Sequence, residues 1–256
     1  MIRVAAVGDV HVGIDSAGRL APRLHGLADH ADLFLLAGDL THRGRPEEAK
    51  VLAEELRGVG VPVVAVLGNH DYHSDEQDAV TEVLEEAGIR VLEGDAVVVE
   101  VRGRRVGIAG SKGFGGGFAG ASASDFGEPE MKAFVGHTKA LAGRLERALG
   151  GLRADRKVAL LHYSPVAETL AGEPREIHAF LGSYLLAEAV DDPLVIEPLS
   201  RARLAEVIAR PAQRAGLEFA PGLVDRMVDA NDGELVRRQE VLRASKHASL
   251  RDYEKA

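Results

Sequence analysis

VPVVAVLGNHDYHS, residues 61–74, runs from an unbroken apolar stretch directly into an amide, two imidazoles, a carboxylate and a phenol. The apolar part is short and valine-rich, the pattern of a strand covered on both faces. Its polar continuation stands where doubly wound folds place ligands, beyond the carboxyl end of a parallel strand. Asn, His and Asp also serve as turn and cap residues, so the stretch gains chemical meaning only if other strand ends converge on it.

Two earlier runs share its character, IRVAAV (2–7) and DLFLLA (32–37). The spacers between the three runs are helical. One helix is expected from Leu20 to Asp29, starting near Pro22. The other is expected from Pro46 to Arg57, with Pro at its first position, Glu47 and Glu48 in its first turn and Gly58 after its end. Strand, helix, strand, helix, strand builds a parallel sheet by right-handed crossovers. After the third run, Ser74 and Gln77 have capping-box spacing for a helix to about Ala87 that Gly88 would stop. VVVEV (97–101) and VGIAG (106–110) then read as an antiparallel hairpin. SKGFGGGF (111–118) reads as a flexible rim loop, followed by a helix over Glu130 to Leu149 and a strand in KVALLHYS (157–164). From Glu173 onward the pattern is helical. These elements predict an α/β fold of two packed sheets flanked by helices over 1–192, and a helical extension over 193–256.

A chain of 256 residues with 46% apolar and 28% charged residues suits a soluble globular protein with a substantial core. No stretch reaches the ~18 apolar residues of a membrane span, and Asp9 interrupts the first apolar run before a signal-peptide core is complete, so a cytoplasmic protein is expected. There is no cysteine, so any metal must be held by oxygen and nitrogen. A net charge of −9 argues against broad attraction to nucleic acid or anionic lipid.

Four strand ends carry metal-capable groups: Asp9 and His11, Asp39, the Asn69–His70–Asp71 run, and His162. In an extended segment Asp9 and His11 project to one side and can clamp one ion. The two oxygens of Asp39 can bridge to a second ion, with Asn69 and His162 on its other side. Gly8, Gly38 and Gly68 precede these groups and allow sharp turns or close backbone approach. His25, His30 and His42 show no partner pattern and read as surface residues. Lys112 lies beside glycines, but GxxxxGK[ST] is absent, so no phosphate-cradling loop is assigned.

The blocks D-x-H, G-D, G-N-H-D and a later His resemble the calcineurin-like metallophosphoesterase superfamily over about residues 1–190. The resemblance implies a four-layer αββα sandwich and a dinuclear centre of Mn, Fe, Zn or Mg. Asp9, His11 and Asp39 would serve one ion, and Asp39, Asn69 and His162 the other. It further implies that His70 acts as general acid, steadied by Asp71, in hydrolysis of a small phosphomonoester or phosphodiester. Tyr72 and His73 lie outside the motif and are not assigned to the site.

The chain departs from the family at its last block, G-H-x-H, which is absent. After His162 only His178 and His247 remain, and neither follows a glycine or forms an H-x-H pair. His137 follows Gly136, but in a helical stretch ahead of the fourth strand. Each ion therefore lacks one expected imidazole, which would loosen the metal and weaken activity. A catalytically impaired metal-binding or protein-interaction module is the alternative. In the tail, PLSRARLAEVIARPAQRAGLEFAPGLVDRMVDANDGE (198–234) resembles the helical region that follows the nucleotide-binding core of STAND-type NTPases, with Ser200 and Pro221 as helix starts. No Walker A motif accompanies it, so the resemblance carries no ATP-binding residue; the tail is expected either to pack on the sandwich or to meet a protein partner.

Overall fold

The three apolar runs become strands, and the two central ones bury both faces. In the computed structural model, which describes residues 1–190, they form β1 (Val4–Val7), β2 (Leu33–Ala37) and β3 (Val63–Val66). With β4 (Arg90–Leu92) they make a parallel sheet in the order β1-β2-β3-β4. Alternate residues of β2 point into different cores. Leu33 and Leu35 face the second sheet, while Phe34 and Leu36 face the helices. β1 departs from the expectation of two-sided cover: it is an edge strand, with Val4 47% and Val7 38% exposed.

Helices α3 (Pro46–Glu55) and α4 (Gln77–Glu86) pack on the outer face of this sheet through Ala49, Leu52, Val80 and Leu84. Pro46 opens α3 as expected, and the buried Glu48 accepts hydrogen bonds from the Arg43 and Arg45 amides at 2.8 and 3.4 Å. Two local expectations fail. The Leu20 to Asp29 helix is two short ones, α1 (Ala21–Leu24) and α2 (Leu27–His30), because Gly26 takes the left-handed conformation between them at φ 75°. The expected Ser74–Gln77 capping box does not form either. Glu76 occupies the cap position of α4, and the Ser74 hydroxyl donates to the Arg43 carbonyl at 2.7 Å.

The chain crosses to a second sheet directly after β4. Strands β5 (Asp95–Val101) and β6 (Arg104–Ser111) form the expected hairpin, turned by Arg102 and Gly103, both with positive φ as a type I′ turn requires. A two-residue pair, β7 (Gly117–Phe118) and β8 (Ala121–Ser122), precedes the long helix α5 (Pro129–Gly151). Strand β9 (Arg156–Leu161) then returns parallel to β6, giving the order β5-β6-β9. Short helices α6 (His178–Leu181) and α7 (Tyr184–Glu188) follow. Leu33, Leu35, Val64 and Val66 meet Val101, Val106, Ile108 and Leu160 between the sheets, and Leu145 of α5 with Leu186 of α7 covers the outer face of the second sheet. The layers are therefore α, β, β, α. The extension over 193–256, with Ser200, Pro221 and His247, lies outside the described residues.

Two carboxylates fasten this arrangement. Asp71, fully buried, accepts from the amides of Leu40 (3.1 Å), Thr41 (2.8 Å) and Gly68 (2.8 Å) and from the Thr41 hydroxyl (2.6 Å), joining the loops after β2 and β3. Asp32, ahead of β2, accepts from the Arg3 backbone (2.8 Å) and guanidinium (2.8 Å) and from Arg102 Nε (2.8 Å), tying β1 to the hairpin turn. The Arg3 guanidinium, then the Arg3 amide and the Arg102 side chain, hold the Asp32 carboxyl well below the usual carboxylate range, against an opposing contribution from burial.

Asp71→Asn keeps the shape but turns an amide NH₂ toward backbone donors; denaturant unfolding is expected to show a loss of about 2–4 kcal/mol, and a loss under about 0.5 kcal/mol would contradict the role assigned to Asp71. Because the Asp32 pKa is lowered on folding, its stabilisation is complete above the unfolded value of about 4 and disappears as pH falls through the folded value. Melting curves of wild type and Asp32→Asn are thus expected to differ by a constant margin above about pH 5, and that margin is expected to narrow steadily as pH falls below about 4. A margin that widens with acid would refute this.

Candidate metal centre

Every metal-capable residue named above lies at the carboxyl end of a strand, in loops that keep pairing after the strands stop. The Asp9 amide donates to the Gly38 carbonyl at 3.0 Å, the His11 amide to Asp39 at 2.9 Å, and Val12 and His42 continue the ladder. The segment from Asp9 to His11 is not extended as expected. Asp9, His11 and Asp39 have φ of 55°, 44° and 49°, and they are three of the five non-glycine residues with positive φ among the described residues. Strain of about 1–3 kcal/mol per such residue persists only where the surroundings enforce it, and such residues cluster at functional sites.

Gly38 and Gly68 are needed for close approach. A Cβ on Gly38, which also has φ 86°, would lie 2.6 Å from the His162 ring, and one on Gly68 would collide with the amide and carboxylate of Asp39. Gly8 is under less pressure, since its added Cβ would stand 3.3 Å from the Ala37 carbonyl.

Asp39 is the hub. It is 4% exposed and receives the His70 amide on Oδ1 at 2.9 Å. Its Oδ2 faces His11 Nε2 at 3.5 Å and His70 Nε2 at 3.9 Å, while its Oδ1 faces His162 Nε2 at 3.4 Å. Asp9 Oδ1 stands 4.0 Å from His11 Nε2, and Asn69 Oδ1 stands 3.0 Å from His162 Nε2. Two trios of donor atoms close to within 4.8 Å of one another, His11 with Asp39 and His70, and Asp9 with Asp39 and His162. Asp39 belongs to both, and His70 stands among the donors.

The ring orientations fit a bound cation. His162 Nδ1 lies 3.0 Å from the Ala37 carbonyl and His70 Nδ1 lies 2.9 Å from the His42 carbonyl. A carbonyl only accepts, so each Nδ1 carries the proton and, in a neutral ring, each Nε2 turns a bare lone pair toward the Asp39 oxygens. Lone pairs facing lone pairs require a cation or additional protons between them. Protonating the rings would place like charges on His11 and His70, whose centroids are 4.4 Å apart. Divalent ions would satisfy the same donors with neutral rings, and backbone carbonyls behind ligating imidazoles are the usual outer support of metal sites.

Other expectations change at this site. Asp71 makes no hydrogen bond to the His70 ring; its oxygens are committed to Leu40, Thr41 and Gly68, and the ring is steadied by the His42 carbonyl. His42 is exposed, as expected of a surface residue, but it has a partner: its ring stacks 6.4 Å from that of His70. The glycine-rich stretch 111–118 is not a loose rim: Ser111, Lys112 and Phe118 are buried within it, and Lys112 Nζ lies over the rings of Tyr72 (4.8 Å), Phe114 (5.1 Å) and Tyr163 (5.3 Å). Burial pushes the Lys112 ammonium down in pKa, with the nearby Glu93 opposing, and burial pushes the Glu93 carboxyl up. Tyr72, outside the motif, is half-buried; its phenol, raised first by burial and then by Glu93, donates to Glu93 at 3.4 Å. His137 lies edge-on to Phe114 at 4.9 Å, behind this cluster, and does not replace a missing ligand. His178 Nε2 meets the Glu173 carbonyl at 3.2 Å. Among the described residues no strand follows β9 to carry a further block.

Comparison with known proteins accords with this geometry. A family model described as calcineurin-like phosphoesterase matches residues 2–106, and one described as novel STAND NTPase 1 matches residues 176–248. The second match starts earlier than the tail expected from the sequence and overlaps α6 and α7, whose Leu186 is buried with Leu145 of α5. Over 70 residues the chain is 37% identical to the symmetrical bis(5'-nucleosyl)-tetraphosphatase of Nitrosococcus oceani, a span of 27% of this chain and 24% of that protein. Over 41 residues it is 74% identical to the ESX secretion system protein EccC of Thermomonospora curvata, 16% of this chain and 3% of that one. The chain thus spans less than a quarter of the length of either relative. Among solved structures, the phosphopantetheinyl hydrolase of Mycobacterium tuberculosis superposes with a TM-score of 0.51 at 17% identity, covering 71% of this chain and 75% of that one, a likeness of fold. Asp9, His11, Asp39, Asn69, His70 and Asp71 all lie in the segment that matches the calcineurin-like phosphoesterase family, while His162 is brought to them from beyond it by β9.

Proposed function

We propose that this chain hydrolyses a phosphomonoester or phosphodiester with two divalent cations held around Asp39. The observation that carries the proposal is the division of the Asp39 carboxylate, one oxygen toward His11 and the other toward His162, with the imidazole lone pairs turned inward. Asp9, His11 and Asp39 would hold one ion, and Asp39, Asn69 and His162 the other. Bound divalent ions supply Lewis acidity toward phosphate oxygens and lower the pKa of water at the site. The protein's own part is to fix these donors by the loop ladder and to exclude alternatives by burying Asp39.

His70 suits proton transfer to the leaving oxygen. Its side chain is the most exposed of the three imidazoles facing Asp39, at 40% against 34% for His11 and 11% for His162. The His42 carbonyl holds the Nδ1 proton, so Nε2 is the ring atom left to take up a proton and pass it on. The tetraphosphatase relative supports including a nucleoside polyphosphate among the substrates tried. The absence of the G-H-x-H block leaves each ion with fewer protein ligands than the family pattern supplies, so full occupancy is expected only at raised metal concentration. The site-bearing domain is taken to end near residue 192, with the tail as a separate unit for a protein partner.

The test is metal content together with hydrolysis of p-nitrophenyl phosphate and its bis ester across a manganese titration. Wild type should approach two ions per chain and turn over at least one ester; Asp39→Asn should lose the metal and more than about a hundredfold of the activity, since it removes a donor common to both sites. Bound metal with no turnover of either ester would instead establish a metal-binding module without hydrolytic function.

A further inference from the structure

The geometry points to Lys112 as an anion-binding residue of this site, taking an oxygen of the substrate's phosphoryl group. The inference rests on the phosphoesterase reading for the identity of the anion, but not for the presence of the cation. Lys112 is 7% exposed, and a lysine buried to that degree is almost always paired. Among the described residues its Nζ takes no hydrogen bond and no ion pair; it lies over the faces of Tyr72, Phe114 and Tyr163. Its Glu93 neighbour is engaged through the Lys112 backbone amide, at 3.4 Å, and by the Tyr72 hydroxyl.

Position ties this cation to the metal centre. Lys112 directly follows β6, and β6 runs parallel to β9 with Ser111 opposite Leu161, so Lys112 and His162 leave neighbouring strands side by side. The Lys112 carbonyl accepts from the Tyr163 amide at 2.9 Å, which fixes this alignment. Two of the three rings belong to residues close in the chain to proposed site residues: Tyr163 follows His162, with ring centroids 5.5 Å apart, and Tyr72 shares a helical turn with His70. The ring faces favour the cation without supplying an acceptor, which leaves its N–H groups free for an anion. The buried loop and Gly113, packed beneath Leu186 and Tyr163, hold the stem in place.

The probe is inorganic phosphate, titrated calorimetrically into the manganese-loaded full chain. Wild type should bind phosphate, and Lys112→Met should bind it about tenfold to a hundredfold more weakly, the range of a lost charge-assisted hydrogen bond, with unchanged manganese content and melting temperature. Equal affinities, or no phosphate binding by wild type, would overturn the assignment. If Lys112→Met does not fold, Lys112→Gln carries the same comparison. Lys112-dependent phosphate binding in a protein that turns over no ester would remove the hydrolase reading while leaving the anion site standing.

Discussion

A single buried carboxylate, Asp71, holds together the two loops from which most of the site is built. Three backbone amides and a hydroxyl from either side of it converge on its two oxygens, and it is fully buried. Hydrogen bonds to an ionised acceptor are stronger than neutral ones, and loss of the acceptor would strand several buried donors. Once Leu40, Thr41 and Gly68 are fixed in this way, Asp39 and Asn69 on the same loops have little freedom left. Asp71 thus acts on the structure, and the neighbouring His70 is left to the His42 carbonyl.

The strained backbone belongs to the same arrangement. Asp9, His11 and Asp39 adopt left-handed conformations that a side-chain-bearing residue ordinarily avoids. The ladder between the loops after β1 and β2 holds them there, and the result is that five donor groups from four strand ends face one small volume. Two glycines complete it, because a side chain at 38 would occupy the place of the His162 ring and one at 68 the place of Asp39.

Beside the metal-capable cluster, the second sheet contributes a buried cation framed by aromatic rings, from a stretch whose glycines suggest only flexibility. The first sheet supplies most of the metal-capable groups, and the second adds His162 and Lys112 from adjacent strands. Joining the two sheets at this edge brings His162 to Asp39 and sets Lys112 in register beside it.

By itself, the sequence carried the parallel sheet, its crossovers and the set of metal-capable residues. Apolar runs such as LFLLA and VVAV suit strands buried on both faces, and Asp9, His11, Asp39, Asn69, His70 and His162 follow runs of this kind in the order of the family's blocks. It also exposed the missing last block, which a search for histidine pairs reveals directly. The tertiary structure decided what depends on contacts distant in the chain. Asp71 bonds to residues up to 31 positions away, the His70 ring is set by a carbonyl 28 positions earlier, and Lys112 is enclosed by rings from three segments. Gly26 split one expected helix and Glu76 displaced Ser74 as a cap, because local propensity gives way when tertiary packing and competing hydrogen bonds claim the same groups. Periodicity reports which faces are buried; it carries no record of which side chain meets which backbone group across the interior.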